Sequence, residues 1–166
     1  MNKITTSFFL VITCALAVIA QTPKLTTADV ARLEGAPWIG TLTYLDYSSG
    51  KSTTIKSNLT VTRKSSGKTE WIFGYSYPDE PKADTSSEVT LTDDGTRFSG
   101  ETVMERTILP DRSLRIVTTQ LGKDDDRPAV FRNTYLISAR SLSIKKEVRI
   151  NDAETWFERN IYSWTR

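Results

Sequence analysis

Two short segments repeat the order arginine, asparagine, any residue, tyrosine: Arg132-Asn133-Thr134-Tyr135 and Arg159-Asn160-Ile161-Tyr162. A guanidinium group binds carboxylates and phosphates in a bidentate manner, so Arg132 and Arg159 are candidates for contacting an anionic ligand head. The alternative is that both arginines form salt bridges with glutamates on an outer surface. In a regular strand, residues three positions apart lie on opposite faces, so a shared arginine–tyrosine site requires a bulge.

Aromatic residues recur at every second position of the segment 70–77 and share one face of a predicted strand. Two aromatic residues of the first predicted strand join this row, which comprises Trp71, Phe73, Tyr75, Tyr77, Tyr44 and Trp38. Such a face suits an apolar cavity for a lipid, sterol or aromatic ligand. A plain packed core is the competing interpretation. The tyrosines speak for a cavity, because a buried hydroxyl needs a partner that a ligand or water can supply. The predicted ligand-binding residues are Tyr44, Trp71, Phe73, Tyr75, Arg132 and Arg159.

Few groups in the sequence could perform catalysis. There is no histidine, and the single cysteine, Cys14, lies among the first 20 residues, which are predicted below to be a removable signal peptide. The commonest general base, the thiol nucleophile and ordinary zinc or haem ligation by those side chains are therefore lacking. A buried glutamate could still serve as a general base in an isomerase or cyclase. The candidates are Glu101, Glu105, Glu147 and Glu158. No spacing points to such a site, so we predict no catalytic residue and no cofactor.

An acidic cluster raises the question of a calcium site. Lys123-Asp124-Asp125-Asp126-Arg127 groups three carboxylates, which are ligands that hard cations prefer. The segment lacks the ligand spacing and the glycine of an EF-hand loop. We therefore interpret it as a solvated hairpin tip and predict no metal site. The formal net charge of +2, with both signs interspersed, also argues against a nucleic-acid partner.

The elements that position these side chains are strands, which the sequence pattern predicts throughout the chain after Pro37. Alternation with period two, β-branched and aromatic residues and regularly spaced turn signals indicate nine strands: 38–47, 53–62, 70–77, 87–92, 97–107 (with a bend at Gly100), 113–121, 129–138, 142–150 and 155–164. Short connections without intervening helices predict an all-β, antiparallel up-and-down barrel of about eight to ten strands. A sandwich is the alternative. One short helix, capped by Thr27, is predicted within residues 23–33.

The first 20 residues predict a secretory signal peptide. Lys3 precedes an apolar run from Phe8 to Ile19 that is too short to span a bilayer, and Ala20 suits a cleavage site. Lipid attachment at Cys14 is disfavoured, because the apolar run continues beyond it. We expect a periplasmic or secreted protein with no integral membrane segment and no disulfide. Residues 21–37 would form an N-terminal segment and residues 38–166 a barrel domain.

The N-terminal pattern resembles the calycins, the superfamily of lipocalins and fatty-acid-binding proteins. A short helix precedes Gly35-Ala36-Pro37-Trp38 and Ile39-Gly40, where lipocalins carry Gly-x-Trp at the start of the first strand. The resemblance implies that Trp38 closes one end of a barrel and that a basic residue, Arg159 or Arg166, packs across it. The spacing here is Gly-x-x-Trp, and the Arg-x-Tyr pattern of the last strand of fatty-acid-binding proteins is not reproduced.

These observations predict an exported, lipocalin-like barrel that binds a small apolar or amphipathic ligand in its lumen and has no enzymatic activity. The alternative is a protein-interaction module, an inhibitor or partner-binding barrel that acts through the loops at residues 78–84 and 122–128. A third hypothesis, a carboxylate-based isomerase or cyclase, requires a buried, unpaired glutamate that lines a pocket.

Overall fold

The computed structural model describes residues 22–65, 67–150 and 155–166. The predicted signal peptide, including Cys14, and the turn between the last two strands lie outside these residues. None of the helical structure in the described ranges has the length and apolarity needed to cross a membrane.

Within the described residues, one short helix precedes ten strands. The elements are α1 Thr27–Ala31, β1 Trp38–Asp46, β2 Lys51–Arg63, β3 Glu70–Ser76, β4 Thr85–Thr90, β5 Arg97–Phe98, β6 Glu101–Ile108, β7 Leu114–Asp124, β8 Arg127–Ile137, β9 Ser141–Ile150 and β10 Phe157–Thr165. A single 3-10 turn, Pro81–Ala83, lies between β3 and β4.

All ten strands form one antiparallel sheet that nearly closes into a barrel. Its order is β4-β3-β2-β1-β10-β9-β8-β7-β6-β5, so each strand lies beside its neighbours in sequence and β10 returns to pair with β1. An isolated bridge between Leu91 and Phe98 joins the two ends of the sheet. The predicted up-and-down barrel is confirmed, and it follows from connections too short to permit crossovers.

The region predicted as one strand over residues 97–107 consists of two strands. Ser99 and Gly100 have φ values of 52° and 78°, and this left-handed pair turns the chain back on itself between β5 and β6. The predicted charged loop 122–128 is also shorter than expected. Only Asp125 and Asp126 lie outside β7 and β8, and both have positive φ values in a tight hairpin turn.

The helix closes one end of the barrel, which we call the closed end. Its cap is Thr26 rather than Thr27, since the Thr26 backbone N–H and hydroxyl both donate to Asp29 Oδ2, at 2.8 and 2.9 Å. Apolar residues of the N-terminal segment pack with three tryptophans from the strands in a dry core: Leu25, Val30, Leu33, Trp38, Trp71 and Trp164. The closed end of the barrel is therefore filled by side chains.

Trp38 occupies the position that the resemblance implies. It is fully buried, and its indole N–H donates to the Leu33 carbonyl at 2.9 Å. The Arg166 guanidinium lies 4.0 Å from the centre of the Trp38 ring and donates to the carbonyls of Arg32 and Glu34. The basic residue across Trp38 is thus Arg166, not Arg159, because Arg159 lies near the opposite end of β10.

Candidate binding site in the barrel lumen

Inward-facing side chains form levels around the barrel, because directly paired residues of neighbouring strands share a face. Above the closed end lies a mainly apolar level of Ile116, Tyr135, Ile144, Tyr162 and Leu42. Two residues further along each strand lies a polar level, which we call the polar belt: Thr118, Asn133, Lys146, Asn160 and Tyr44. The lumen therefore changes from apolar to polar towards its open end.

Two adjacent cavities are lined by residues of these two levels and of neighbouring strands. The inner chamber, about 190 Å³, has walls from β3, β4, β5, β8, β9 and β10: Phe73, Tyr75, Ser87, Val89, Phe98, Ser99, Asn133, Tyr135, Ile144, Lys146, Asn160 and Tyr162. The mouth cavity, about 430 Å³, lies at the open end: Leu42, Tyr44, Ile55, Tyr77, Glu80, Ala83, Asp124, Lys146, Arg159 and Asn160. Lys146 and Asn160 line both cavities, so the polar belt lies where they meet.

Tyrosine hydroxyls supply neutral polar groups along this wall. The hydroxyl oxygens of Tyr77 and Tyr162 lie 2.9 Å apart and share a hydrogen bond. Burial, with the Tyr77 hydrogen bond as the second cause, raises the pKa of Tyr162 well above its usual range. Burial also raises the pKa of Tyr75 to about 12. The hydroxyls of Tyr75 and Tyr162 therefore remain protonated at neutral pH and can donate or accept hydrogen bonds.

A β-bulge brings the second Arg-Asn-x-Tyr segment onto one wall. The β9–β10 pairing shifts between Glu158 and Asn160, which leaves Arg159 as the extra residue. As a result Arg159, Asn160 and Tyr162 all line the inner chamber or the mouth cavity. The bulge therefore places the arginine and the tyrosine of this segment on the same wall, as a shared site requires.

The first Arg-Asn-x-Tyr segment has no such bulge. In the regular strand β8, Asn133 and Tyr135 face the lumen while Arg132 lies on the other face. Arg132 donates to Glu147 at 3.0 Å, and its guanidinium lies 4.2 Å from the centre of the Trp156 ring. This placement matches the alternative interpretation, a salt bridge on the outer surface.

Arg159 has several protein partners at the mouth. Its guanidinium lies 4.1 Å from the centre of the Tyr47 ring and donates to the Leu45 carbonyl. Its Nε lies 3.7 Å from Asp124 Oδ1, and Asp124 also accepts a hydrogen bond from the Tyr47 hydroxyl. Asp124 thus belongs to the wall of the mouth, and no group of three possible metal-ligating side chains occurs in the described part of the chain.

Lys146 is a lumen residue that the sequence prediction missed. It faces inward between Asn133 and Asn160, and its Nζ lies 4.0 Å from the centre of the Phe131 ring. Within the described ranges, no carboxylate lies within salt-bridge distance of its amine. Burial lowers the pKa of Lys146, with Arg159 acting in the same direction and Glu101 and Asp124 opposing it.

Glu101 is the glutamate buried in the barrel wall. It accepts hydrogen bonds from the Thr118 hydroxyl and from the Asn133 amide, the latter at 2.8 and 3.0 Å. It is not among the residues that line either cavity. A carboxylate held by these hydrogen bonds and absent from the lining of both cavities is poorly placed to remove a proton from a ligand. The arrangement therefore does not favour the isomerase hypothesis.

The predicted ligand-binding residues separate into two groups. The first group lines the cavities: Phe73 and Tyr75 the inner chamber, and Tyr44 and Arg159 the mouth cavity. Trp71 lies in the closed end, where its indole N–H donates to Glu34 at 2.7 Å, and Arg132 lies on the outer face. A role in ligand binding stays a prediction for the first group, and the lumen offers no contact to the other two.

The sequence matches no protein-family profile and no curated protein sequence. Among solved structures, the chain is similar to a protein of unknown function of the DUF3598 family from Nostoc punctiforme, with a TM-score of 0.48 and 16% sequence identity. The similarity covers 92% of this chain and 53% of that protein, so this chain spans about half of its length.

Proposed function

We propose that this protein is an exported, calycin-like barrel that binds one small amphipathic ligand in its lumen and does not catalyse a reaction. The observation that carries the proposal is the pair of adjacent cavities that share Lys146 and Asn160 and whose walls combine apolar and aromatic side chains with polar ones. Ligand sites in proteins typically combine an apolar wall with placed polar groups. In the inner chamber, Phe73, Val89 and Phe98 supply the apolar surface beside these polar groups.

The walls define the orientation of the ligand. Its apolar part would lie in the inner chamber against Phe73, Val89 and Phe98, where burial contributes about 25 cal/mol per Å² of apolar surface removed from water. Its polar end would lie at the polar belt, within reach of Asn160 and the paired hydroxyl of Tyr162. A ligand that is apolar throughout would leave these groups without new partners.

The rim of the mouth is preformed by the segment that carries the 3-10 turn. Asp79 accepts hydrogen bonds from the Lys56 backbone and amine at 3.2 and 3.1 Å, and Asp84 accepts one from the Tyr77 backbone at 2.7 Å. Glu80 and Ala83 of the same segment line the mouth cavity. This segment therefore serves the cavity in our proposal, rather than a separate protein partner.

Filling the inner chamber tests the proposal. Ser87 pairs with Phe73 and lines the chamber, so Ser87→Trp should place an indole in the ligand space. We expect wild-type protein to bind the neutral dye N-phenyl-1-naphthylamine at a single site, with displacement by decanol. We expect Ser87→Trp to weaken binding at least tenfold, which is about 1.4 kcal/mol. Fluorescence titration measures both quantities.

The neighbouring serine is the matched control. Ser86 pairs with Gly74 on the outer face of β4, and Ser86→Trp should leave the affinity unchanged. Equal weakening in both variants would place the dye outside the lumen. Failure of the wild-type protein to bind either the dye or decanol would refute the proposed function.

A further inference from the structure

Lys146 combines three properties that a binding role alone does not require. Its side chain lines both the inner chamber and the mouth cavity. In the described part of the chain its amine has neither a salt bridge nor a hydrogen bond, and it lies 4.0 Å from the centre of the Phe131 ring. Burial lowers its pKa and thus increases the share of neutral amine, which is the nucleophilic form.

Other lysines of the barrel, including the adjacent Lys145, have carboxylate partners that Lys146 lacks among the described residues. Lys145 pairs with Thr134 and Ile161 on the outer face of the barrel, and its amine lies 3.3 Å from Glu147 Oε1. Lys64, on the outside of the sheet, hydrogen-bonds to Glu88 and Glu70, and these bonds raise its pKa. A carboxylate partner stabilises the protonated amine, which cannot attack a carbonyl group. Lys146 differs from both lysines in facing a cavity with no such partner among the described residues.

We propose that Lys146 condenses reversibly with the aldehyde group of an apolar ligand whose chain occupies the inner chamber. The amine nitrogen attacks the carbonyl carbon and forms a C–N bond. The resulting carbinolamine loses water, in which the carbonyl oxygen leaves with the two hydrogens of the amine, and an imine remains. Hydrolysis reverses the reaction, so no oxidant or reductant is needed. This inference rests on the proposed function, since the same lumen must first accept the apolar chain.

The geometry favours a terminal aldehyde. The inner chamber, at about 190 Å³, is the smaller of the two cavities, and the Lys146 side chain lines both this chamber and the wider mouth. An unbranched chain that enters with its apolar end first would place its last carbon near Lys146. The hydroxyl of Tyr162 and the amide of Asn160 line the same space and could hydrogen-bond to the carbonyl oxygen before attack.

The test uses decanal with cyanoborohydride, which reduces an imine to a stable amine and so records where it forms. At equimolar decanal we expect one addition per molecule, and peptide mass spectrometry should locate it at Lys146. Lys145→Met should be labelled as fast as wild-type protein. Lys146→Met and Lys146→Arg should lose at least nine-tenths of the labelling. The arginine variant keeps the positive charge, and circular dichroism with urea unfolding checks that both variants are folded.

The outcomes separate this inference from the proposed function. Labelling spread over surface lysines, with Lys146 not preferred, would overturn the imine proposal. If decanol still displaces the dye in that case, the lumen binds ligands and the proposed function stands. If neither decanol binding nor labelling at Lys146 occurs, both proposals are wrong.

Discussion

Replacing Gly40 with alanine is expected to lower the free energy of unfolding by about 3 kcal/mol, an effect at the upper end of the range for overpacking. A Cβ at Gly40 would lie 2.0 Å from the Ser163 carbonyl oxygen and 2.8 Å from the Trp164 Cα. Both are backbone atoms of β10, so a change of side-chain rotamer cannot relieve the contact. The β1–β10 pairing, which joins the two halves of the sheet, would have to separate. Urea denaturation measures the loss.

Gly74 provides the control for this substitution. It also lies within a strand, but a Cβ there would meet only the Thr60 hydroxyl, at 2.8 Å, which can rotate away. We expect Gly74→Ala to change the free energy of unfolding by less than about 0.5 kcal/mol, as for most substitutions outside packed contacts. Similar losses in the two variants would show that the loss of a glycine, rather than the approach of β10, determines the effect.

Replacing Asp29 with asparagine should cost about 2–4 kcal/mol, because it leaves the Arg106 guanidinium without its countercharge. Asp29 is 2% exposed and accepts hydrogen bonds from Arg106 at 2.9 and 2.7 Å, as well as from Thr26. Arg106 is partly exposed, which keeps the loss below that of a fully buried pair. The substitution also weakens the cap of α1, which covers the closed end of the barrel. Thermal or urea unfolding at neutral pH measures the loss.

The same carboxylate gives a pH dependence of known sign. Burial opposes ionisation of Asp29, but the hydrogen bonds from Arg106 and Thr26 outweigh it and the pKa of Asp29 is lowered. A lowered pKa stabilises the fold above the unfolded-state value, and this stabilisation is lost as the pH falls through the folded-state value. The stability difference between wild-type protein and Asp29→Asn should therefore shrink below about pH 4.

An exposed ion pair is the control for the acid experiment. Lys56 and Asp79 lie 3.1 Å apart, with side chains 69% and 44% exposed, so Asp79→Asn should cost no more than about 0.5 kcal/mol. If Asp29→Asn is as mild as Asp79→Asn, or if its effect does not change on acidification, the buried pair does not stabilise the closed end as we describe.

Individual residues show which parts of the site the sequence could predict. Alternation places Phe73 and Tyr75 on one face of β3, and the structure places both in the inner chamber. Alternation also places Lys146 between Ile144 and Val148 on the apolar face of β9, so a signal for this residue was present in the sequence.

The two arginine segments show what local pattern cannot decide. Arg132 and Arg159 occur in the same four-residue order, yet the first lies outside the barrel and the second lines its mouth. The difference comes from the bulge between Glu158 and Asn160, which is set by the pairing of β10 with β9. Trp71 likewise alternates with Phe73 and Tyr75, but its level in the barrel places it in the closed end rather than in the cavity.

Strand alternation and short connections are local properties of the sequence, and together they predict the antiparallel, up-and-down barrel. Alternation also places the aromatic residues on one face. The tertiary structure adds that side chains fill the closed end while cavities remain towards the open end, and that Lys146 lines both cavities. Those features depend on the register between strands distant in sequence and on one bulge, neither of which is encoded in the periodicity of a single strand.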